Sequence, residues 1–456
     1  MNYLKDYKII NDIVHGSISL SRIATLIIDT PEFQRLRYLK QLSTCYFVFP
    51  NAVHSRFEHS IGTYQICKKM LHSLRKNSKI DEINLIRNIP ELKNYFSTLT
   101  QRNENLLDDY IIELISIGAL CHDLGHGPFS HLFDDNFLKN KTNVREENKY
   151  HENRSCQLLQ RIIKNNDILS SLIPDEHIKF ISNVINPNKD IHSEYVYQIV
   201  SNNINGIDVD KFDYLTRDSK MLNINISFNF HRLIENAMII NNIICYPKKV
   251  DSDIINMFQT RHYMHKKVYS HKTVVSSLLV VIELLENLDK IINFTKSVEN
   301  PCEFIKYTDD YILNISKFLV YTLDAGLSDN AEYLRNIKKN LDIINNHSFY
   351  TLVYHNYIDM DAIDEKFNGD LYKTTGIESS DIVKHENIIG FISGKKSNPL
   401  ENVYLYNSKD PYRFIELLSE SDSTRLMPNK YQEKLVMIFY KHKNETIEKL
   451  ISCYNS

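Results

Sequence analysis

The chain has 456 residues, 43% of them apolar and 24% charged, with only 11 Gly and 11 Pro, a composition that excludes disordered and collagenous proteins and predicts a globular, mainly helical one. A net charge of −3 removes any bulk electrostatic case for nucleic-acid binding, because affinity for a phosphate backbone needs clustered Lys and Arg; a basic patch must be local. Seven scattered cysteines (Cys45, Cys67, Cys121, Cys156, Cys245, Cys302 and Cys453), none in a C-x-x-C, argue against a disulfide framework or a cysteine zinc site and for a reducing compartment.

The first residues, Met1 to Asp6, carry no basic-then-apolar leader pattern, and the longest apolar stretch, Thr273 to Leu285, is interrupted by Ser276, Ser277 and Glu283. The expectation is a soluble, intracellular protein, cytoplasmic or nuclear, with no membrane partner. From Arg22 to Leu42 apolar residues recur at helical spacing, and Asp29-Thr30-Pro31-Glu32 supplies a start, with Thr30 as N-cap and Pro31 at the first helical position. Tyr46 to Pro50 reads as a short extended piece, and Glu58 to Lys76 as a helix. Asn77 to Asp109 is polar and contains Pro90, which predicts a surface insertion between two core helices. Tyr110 to Cys121 is a strongly apolar helix that runs into His122-Asp123-Leu124-Gly125-His126-Gly127-Pro128-Phe129-Ser130-His131, where glycine and proline stop it.

A polar stretch from Lys139 to Tyr150 leads to a helical run near His151, and helices are expected from Ile207 to Leu222 and from Ile254 to Leu288. Phe349 to Tyr354, Ile388 to Ile392 and Val403 to Tyr406 are short β-like runs, followed by a predicted helix from Pro428 to His442. The fold class that follows is mainly α: a helical core over residues 1–345, with an insertion at about 77–109, and a smaller α+β lobe over 346–456. No internal repeat or low-complexity tract is present.

The pair His122-Asp123 ends an apolar helix. An imidazole nitrogen and a carboxylate oxygen at one helix terminus suit manganese, iron, zinc or a similar ion, and Gly125 and Gly127 leave room for a substrate. An isolated His-Asp is usually only a polar helix end. Here His126 lies four residues beyond His122, and His131 and Asp134 lie three apart, so several titratable groups can converge. Arg56 and His59 share a helical face, either as an anion clamp beside a metal ligand or as an exposed pair. Asp210, Tyr214 and Asp218 form one stripe between Val209, Phe212 and Leu215, with a solvated acidic face as the alternative. Arg261, His265 and Tyr269 recur every four residues, with Lys272 following. This ridge suits a polyphosphate, a local RNA patch or a solvated basic face, which periodicity cannot separate.

The ordered motifs H-x-R-F-E-H-S (His54 to Ser60), C-H-D-L-G-H-G-P-F-S-H (Cys121 to His131), Y-H-E (Tyr150 to Glu152), N-G-I-D-V-D-K-F-D-Y (Asn205 to Tyr214) and R-x-x-x-H-x-x-x-Y-x-H-K (Arg261 to Lys272) resemble the HD-domain deoxynucleoside triphosphate triphosphohydrolases. The chain resembles the catalytic core of members that also carry a sterile-alpha-motif domain, and no such domain is expected here. The likeness runs in order from about Lys8 to Leu288 and weakens beyond.

This resemblance implies metal-dependent hydrolysis of a deoxynucleoside triphosphate (dNTP) to deoxynucleoside and inorganic triphosphate. His59, His122, Asp123 and Asp210 would ligate one divalent ion (iron, manganese or zinc), and His126, His131, His151 and Asp218 would surround the scissile phosphate. His131, oriented by Asp134, would be the general acid. Arg56, Lys211 and Arg261 would hold phosphates together with magnesium, with His265 beside them. Gln41, Leu42, Tyr214 and Tyr269 would line the sugar pocket, where packing against C2′ excludes a ribose hydroxyl.

The resemblance also implies regulatory nucleotide sites at subunit contacts, with GTP or a dNTP as activator and a dimer or tetramer as the assembly. Lys8, Asn11, Asp29, Gln34 and Arg37 match one part, and Val48, Phe49, Arg232, Lys249, His271 and Lys272 another. The chain departs from the family where basic residues should meet the activator's triphosphate, because Arg413 to Glu420 places Glu416 and Glu420 there. Two other readings stand beside the first: an HD-type phosphodiesterase or nuclease acting on RNA or a cyclic nucleotide, and a non-catalytic nucleotide-binding protein of the same fold.

Overall fold

A computed structural model describes residues 3–99, 105–226, 228–324, 330–391, 398–413, 415–418 and 431–455. It opens with an antiparallel hairpin of β1 (Asp6–Asp12) and β2 (Gly16–Ser21), turned at Gly16 with φ of 70°. Ile18 and Leu20 of β2 enter the main core, and Ser21 caps the Arg22–Ile28 helix by accepting from the Ala24 amide at 2.9 Å. The start expected at Thr30 is present. The helix expected to begin there is short: Pro31–Gln34 makes one turn and continues as a 3-10 turn over Arg35–Tyr38. Pro31 has no N–H to continue the first helix and holds Thr30 extended, so the chain breaks there.

Tyr46 to Pro50 is likewise not a strand. A 3-10 turn spans Cys45–Phe47, and the Phe47 and Phe49 amides are satisfied locally by the carbonyls of Thr44 and Cys45. The helix expected next runs over Arg56–Asn77, started by a capping box between Ser55 and Glu58, and packs against both Asp109–Cys121 and Val209–Met221. Asp109–Cys121 is buried from Ile111 to Cys121, as its apolar character on every face predicts, and its one buried acid, Glu113, accepts from Ser21 at 2.6 Å and Tyr64 at 3.1 Å. The stretch expected as a surface insertion instead folds as short turns whose Ile83, Ile86, Ile89 and Leu92 lie in the same core. Single apolar residues spaced through a polar sequence were enough to anchor it.

Helices follow over His151–Lys164 and Asp175–Ile185, and the hairpin of β3 (Met238–Ile240) and β4 (Ile243–Pro247) comes after Val209–Met221. The long run from Ile254 to Leu288 is two helices, Asp251–Met264, extended by a π turn over His265–Tyr269, and Lys272–Ile292, which His271 caps. Helices Asp309–Asp324 and Ala331–Asn345 complete the helical part. Among the described residues no single helix is long and apolar enough to cross a membrane.

The C-terminal part contains β5 (Thr351–Ile358), β6 (Ile382–Gly390), β7 (Tyr404–Tyr406), β8 (Ile415–Leu417) and β9 (Gln432–Tyr440), then a last helix, Thr446–Asn455. The helix expected from Pro428 to His442 is therefore a strand from Gln432, and positions 428–430 lie outside the described residues, as do Ile392, Phe414, Ser419 and Glu420. As the middle strand of the order β5-β9-β6, β9 buries Leu435 through Tyr440 on both faces. A continuous apolar run of that kind has no period to separate strand from helix. One face of this sheet packs on Val275, Leu279 and Val280 of the Lys272–Ile292 helix, the other on Leu450 and Tyr454 of the last helix. β7 pairs with β4 in parallel and with β8 antiparallel, so this segment returns to the helical part, where Leu400, Val403, Leu405 and Leu418 join the main core. The fold is mainly α with a small C-terminal α+β lobe.

Candidate metal centre

Three helix ends converge. His59 lies in the first turn of Arg56–Asn77, Asp210 in the first turn of Val209–Met221, and His122 and Asp123 at the end of Asp109–Cys121. His59 Nε2 is 3.1 Å from Asp210 Oδ1, 3.3 Å from His122 Nε2 and 3.4 Å from Asp123 Oδ2. His122 Nε2 is 3.4 Å from both Asp123 Oδ1 and Asp210 Oδ1. Such separations match the edges of a coordination polyhedron with bonds of about 2.0–2.2 Å.

Proton placement makes the same point. The other ring nitrogen of His59, Nδ1, meets the Asp213 carboxylate at 2.8 Å, and Nδ1 of His122 meets the Ala119 carbonyl at 2.8 Å. Both partners only accept, so each Nδ1 carries a proton and Nε2 is the atom each ring turns towards two carboxylates. A cation, or a proton on Nε2, is what holds these atoms together. Burial opposes charge on His59, but Asp210 and Asp213 outweigh it and push its pKa up to about 10. Burial is also outweighed at Asp210, where His122 and His59 hold the carboxyl far below its usual range.

Asp213 in turn accepts from Arg217 Nε at 2.8 Å and contacts His15 at 2.5 Å, while Arg217 reaches Asp12 Oδ2 at 2.8 Å. The approach of this network to the Arg56–Asn77 helix requires Gly62, since a Cβ there would overlap Asp213 and Arg217. None of Asp213, Arg217, Asp12 and His15 is singled out by the sequence. Asp213 does stand three residues after Asp210 and four before Arg217, a spacing that signals a paired acid.

The loop after Asp123 brings up a second group, in which Asp123, His126 and His151 offer possible ligand atoms close together. The His126 and His151 rings stack at 3.8 Å, and His131 lies edge-on to His126 at 4.8 Å. Burial, and then the Arg56 charge, lower the pKa of His126; burial and His126 lower that of His151 well below the ordinary value. The expected pairing of His131 with Asp134 is corrected: Asp134 binds Nδ1 of His126 at 2.6 Å and the Arg154 guanidinium, and exposed His131 faces Asp135 at 3.3 Å. Asp134 is drawn inward because the buried Arg154 needs a counter-ion. Arg154 also binds the Gly125 carbonyl at 2.8 Å, and Arg35 binds those of His126 and Leu124 at 2.7 and 3.3 Å. Phe129 and Ser130 adopt φ of 61° and 56°, held by bonds from the Phe129 amide to Asp309 (2.6 Å) and from Arg56 Nε to Ser130 Oγ (2.8 Å).

Arg56 also contacts Asp123 at 2.5 Å, and its Nη2 is buried without a partner, free for an anion. Lys211 and Arg261, expected on phosphates, already engage Asp208 at 2.8 Å and the Gly390 carbonyl of β6, respectively. Half-buried His265 packs edge-on against Tyr269 at 4.9 Å. Asp218 is bonded to His54 at 2.8 Å and to the Tyr269 hydroxyl at 2.6 Å, with no bond to His126, His131 or His151 among the described contacts. Gln41 Oε1 is buried without a partner, Leu42 packs on Cys45 and Val274, and Tyr214 is half-buried against the main core.

Of the residues expected at the first regulatory site, Lys8 lies 3.8 Å from Asp29, Arg37 binds Gln34 at 2.8 Å, and Asn11 and Arg37 line a cavity of about 330 Å³. In the second set Phe49 meets His271 edge-on at 6.1 Å, Val48 packs beside Phe49, Arg232 reaches the Lys249 carbonyl at 3.2 Å, and Lys272 opens the helix that His271 caps. Glu416 is paired with Lys248 at 2.7 Å.

The HD domain family model matches residues 56–218, the span that carries all four candidate ligands. A putative HD domain-containing protein of Acanthamoeba polyphaga mimivirus is 38% identical over 408 residues, 87% of this chain and 84% of that protein. The Deoxynucleoside triphosphate triphosphohydrolase SAMHD1 homolog of Dictyostelium discoideum is 33% identical over 446 residues, 97% of this chain and 79% of its own. Deoxynucleoside triphosphate triphosphohydrolase SAMHD1 of Homo sapiens is 30% identical over 474 residues, 95% and 70% of the two chains.

Proposed function

The chain belongs to the HD-domain family of deoxynucleoside triphosphate triphosphohydrolases, and on that premise we propose that it hydrolyses dNTPs to deoxynucleoside and inorganic triphosphate. The observation that carries the reading is the cluster of His59, His122 and Asp210, whose ligand atoms lie 3.1–3.4 Å apart, with one Asp123 oxygen 3.4 Å from each imidazole Nε2 and both Nδ1 atoms bonded to acceptors. Two nitrogens and two carboxylates suit iron, manganese or zinc, and magnesium would accompany the substrate phosphates. The ion supplies Lewis-acid polarisation when bound.

The protein's own groups supply the rest. Arg56, with its free Nη2, binds a phosphate oxygen and offsets charge on the departing triphosphate. His126 and His151 stay neutral at physiological pH and accept hydrogen bonds or a proton beside Asp123. Exposed His131, paired with Asp135, is the candidate proton donor to the 5′ oxygen. Lys211, Arg261 and His265 place positive or polar groups along the phosphates, and Gln41, Leu42, Tyr214, Asp218 and Tyr269 form the sugar pocket.

We read the Lys8 and Phe49 sets as sites for a GTP or dNTP activator on a dimer or tetramer; full activity of a monomer without added nucleotide would remove this. Seven cysteines, none of the described ones disulfide-bonded, fit an intracellular enzyme. The function is tested by incubation with each dNTP and NTP plus metal, resolving products by chromatography. Intact triphosphate from dNTPs is expected, with metal and activity lost together in Asp210→Ala. Release of only monophosphate or pyrophosphate would overturn the reading.

A further inference from the structure

His54 lies two residues before Arg56 and is only 3% exposed, yet it makes no contact with the four candidate ligands among its recorded bonds. Its Nε2 meets Asp218 Oδ1 at 2.8 Å, and since a carboxylate only accepts, Nε2 carries the proton. The second oxygen of Asp218 accepts from the Tyr269 hydroxyl at 2.6 Å. One buried carboxylate thus joins two donors brought from opposite ends of the catalytic region. Burial, reinforced by Asp218, raises the Tyr269 phenol well above its usual range, so it remains a donor.

The backbone of His54 adds a third link. Its carbonyl accepts from the Gln41 amide at 2.9 Å, beside the bridge between Lys40 and Ser55. His54 Nδ1 and Gln41 Oε1 are both buried with no protein partner. Buried polar atoms left unpaired are costly, and two on adjoining segments point to a ligand with hydroxyl groups or to its hydration. Tyr269 sits at the end of the π turn His265–Tyr269, just before the chain breaks at Ser270, so its ring depends on side-chain tethers rather than on a continuing helix.

We propose that His54 is a positioning residue for sugar selection: it holds Asp218 and, through Asp218, fixes the Tyr269 ring as the wall that meets C2′ of the substrate. The role rests on the dNTP reading given above. A wall excludes a hydroxyl by clash only as well as it is held, and here the hold is a charge-assisted bond from an imidazole that touches neither the metal ligands nor the reacting phosphate.

The experiment compares the full chain with His54→Phe, which keeps the ring and removes the donor, His54→Gln, whose amide restores an N–H near the Nε2 position, and Tyr269→Phe, which cuts the tether from the other side. Each is assayed for kcat and KM on a dNTP and the matching NTP, with metal content measured in parallel. His54→Phe is expected to raise KM for the dNTP about tenfold and to lower the dNTP-over-NTP preference about tenfold, with metal content unchanged. His54→Gln should recover most of both, and the double variant with Tyr269→Phe should lose little more than either single one. If His54→Phe does not fold, Tyr269→Phe must still lower the preference by a similar factor. A wild-type preference in the variants, or an equal fall on both substrates through kcat alone, would overturn the inference while leaving the dNTP reading intact. Absence of dNTP hydrolysis by the unmodified chain would overturn both.

Discussion

Asp213 grips Nδ1 of His59 at 2.8 Å, and Asp210, one helical turn earlier, approaches Nε2 of the same ring at 3.1 Å. A single helix thus sets the tautomer of one imidazole and closes the site around it. Partners of this kind orient a ligand and raise its basicity, and their loss weakens metal binding even though they never touch the ion.

Asp213→Asn should therefore lower metal affinity by about 10–100-fold, read by titrating chelated protein and following occupancy. An amide can still accept from Nδ1–H but carries no charge and leaves Arg217 with Asp12 as its one carboxylate among the described contacts. Unchanged affinity would show that the Asp213 bond is only a packing contact.

Removing the metal should lower thermal stability. Without a cation, the acceptors of His59, His122, Asp123 and Asp210 must share protons or repel. An ion that binds only the folded chain stabilises it by about 2.7 kcal/mol at a hundred times its Kd. Addition of manganese to chelator-treated protein should raise Tm, and Asp210→Ala should not respond. An equal response of both proteins would place the ion elsewhere.

Asp309 gives a pH dependence of known sign. It is fully buried and accepts from the amides of Phe129 at 2.6 Å and Lys40 at 2.9 Å, but burial prevails and lifts its pKa from 3.8 to about 6. Between those values the folded chain keeps a proton that the unfolded chain has released. The contribution of Asp309 to stability is therefore fully present below pH 3.8 and is lost as pH rises through about 6. That amounts to about 3 kcal/mol at most. Tm measured from pH 4 to 7 for the wild type and Asp309→Asn should diverge with rising pH, the wild type losing ground; parallel curves would remove Asp309 as the cause.

The elements with a strong period were legible. Glu58 to Lys76 and Tyr110 to Cys121 became helices within two residues of the expected bounds, and Thr30 with Pro31 marked a real start. β9 was misread because Leu435 to Tyr440 is apolar at every position, which fits a strand buried on two faces as well as a helix. The Ile83 to Leu92 stretch was misread because a few apolar residues outweighed its polar composition. In the site, donor types at His122-Asp123, His59 and Asp210 were visible in the chain, while the Asp134 partner was assigned by its spacing from His131. The buried Arg154, 20 residues on, decided otherwise.

By itself the sequence determined the helical class, the family and the identity of the four candidate ligands, because these reside in residue types, local periods and ordered motifs. Tertiary structure alone decided which nitrogen of His59 and His122 faces the carboxylates, that Asp134 serves His126, and that His54 and Tyr269 share Asp218. Those facts depend on which buried donor finds which acceptor, 154 positions apart for His59 and Asp213 and 164 for His54 and Asp218, and burial makes such pairing obligatory without leaving any period in the sequence.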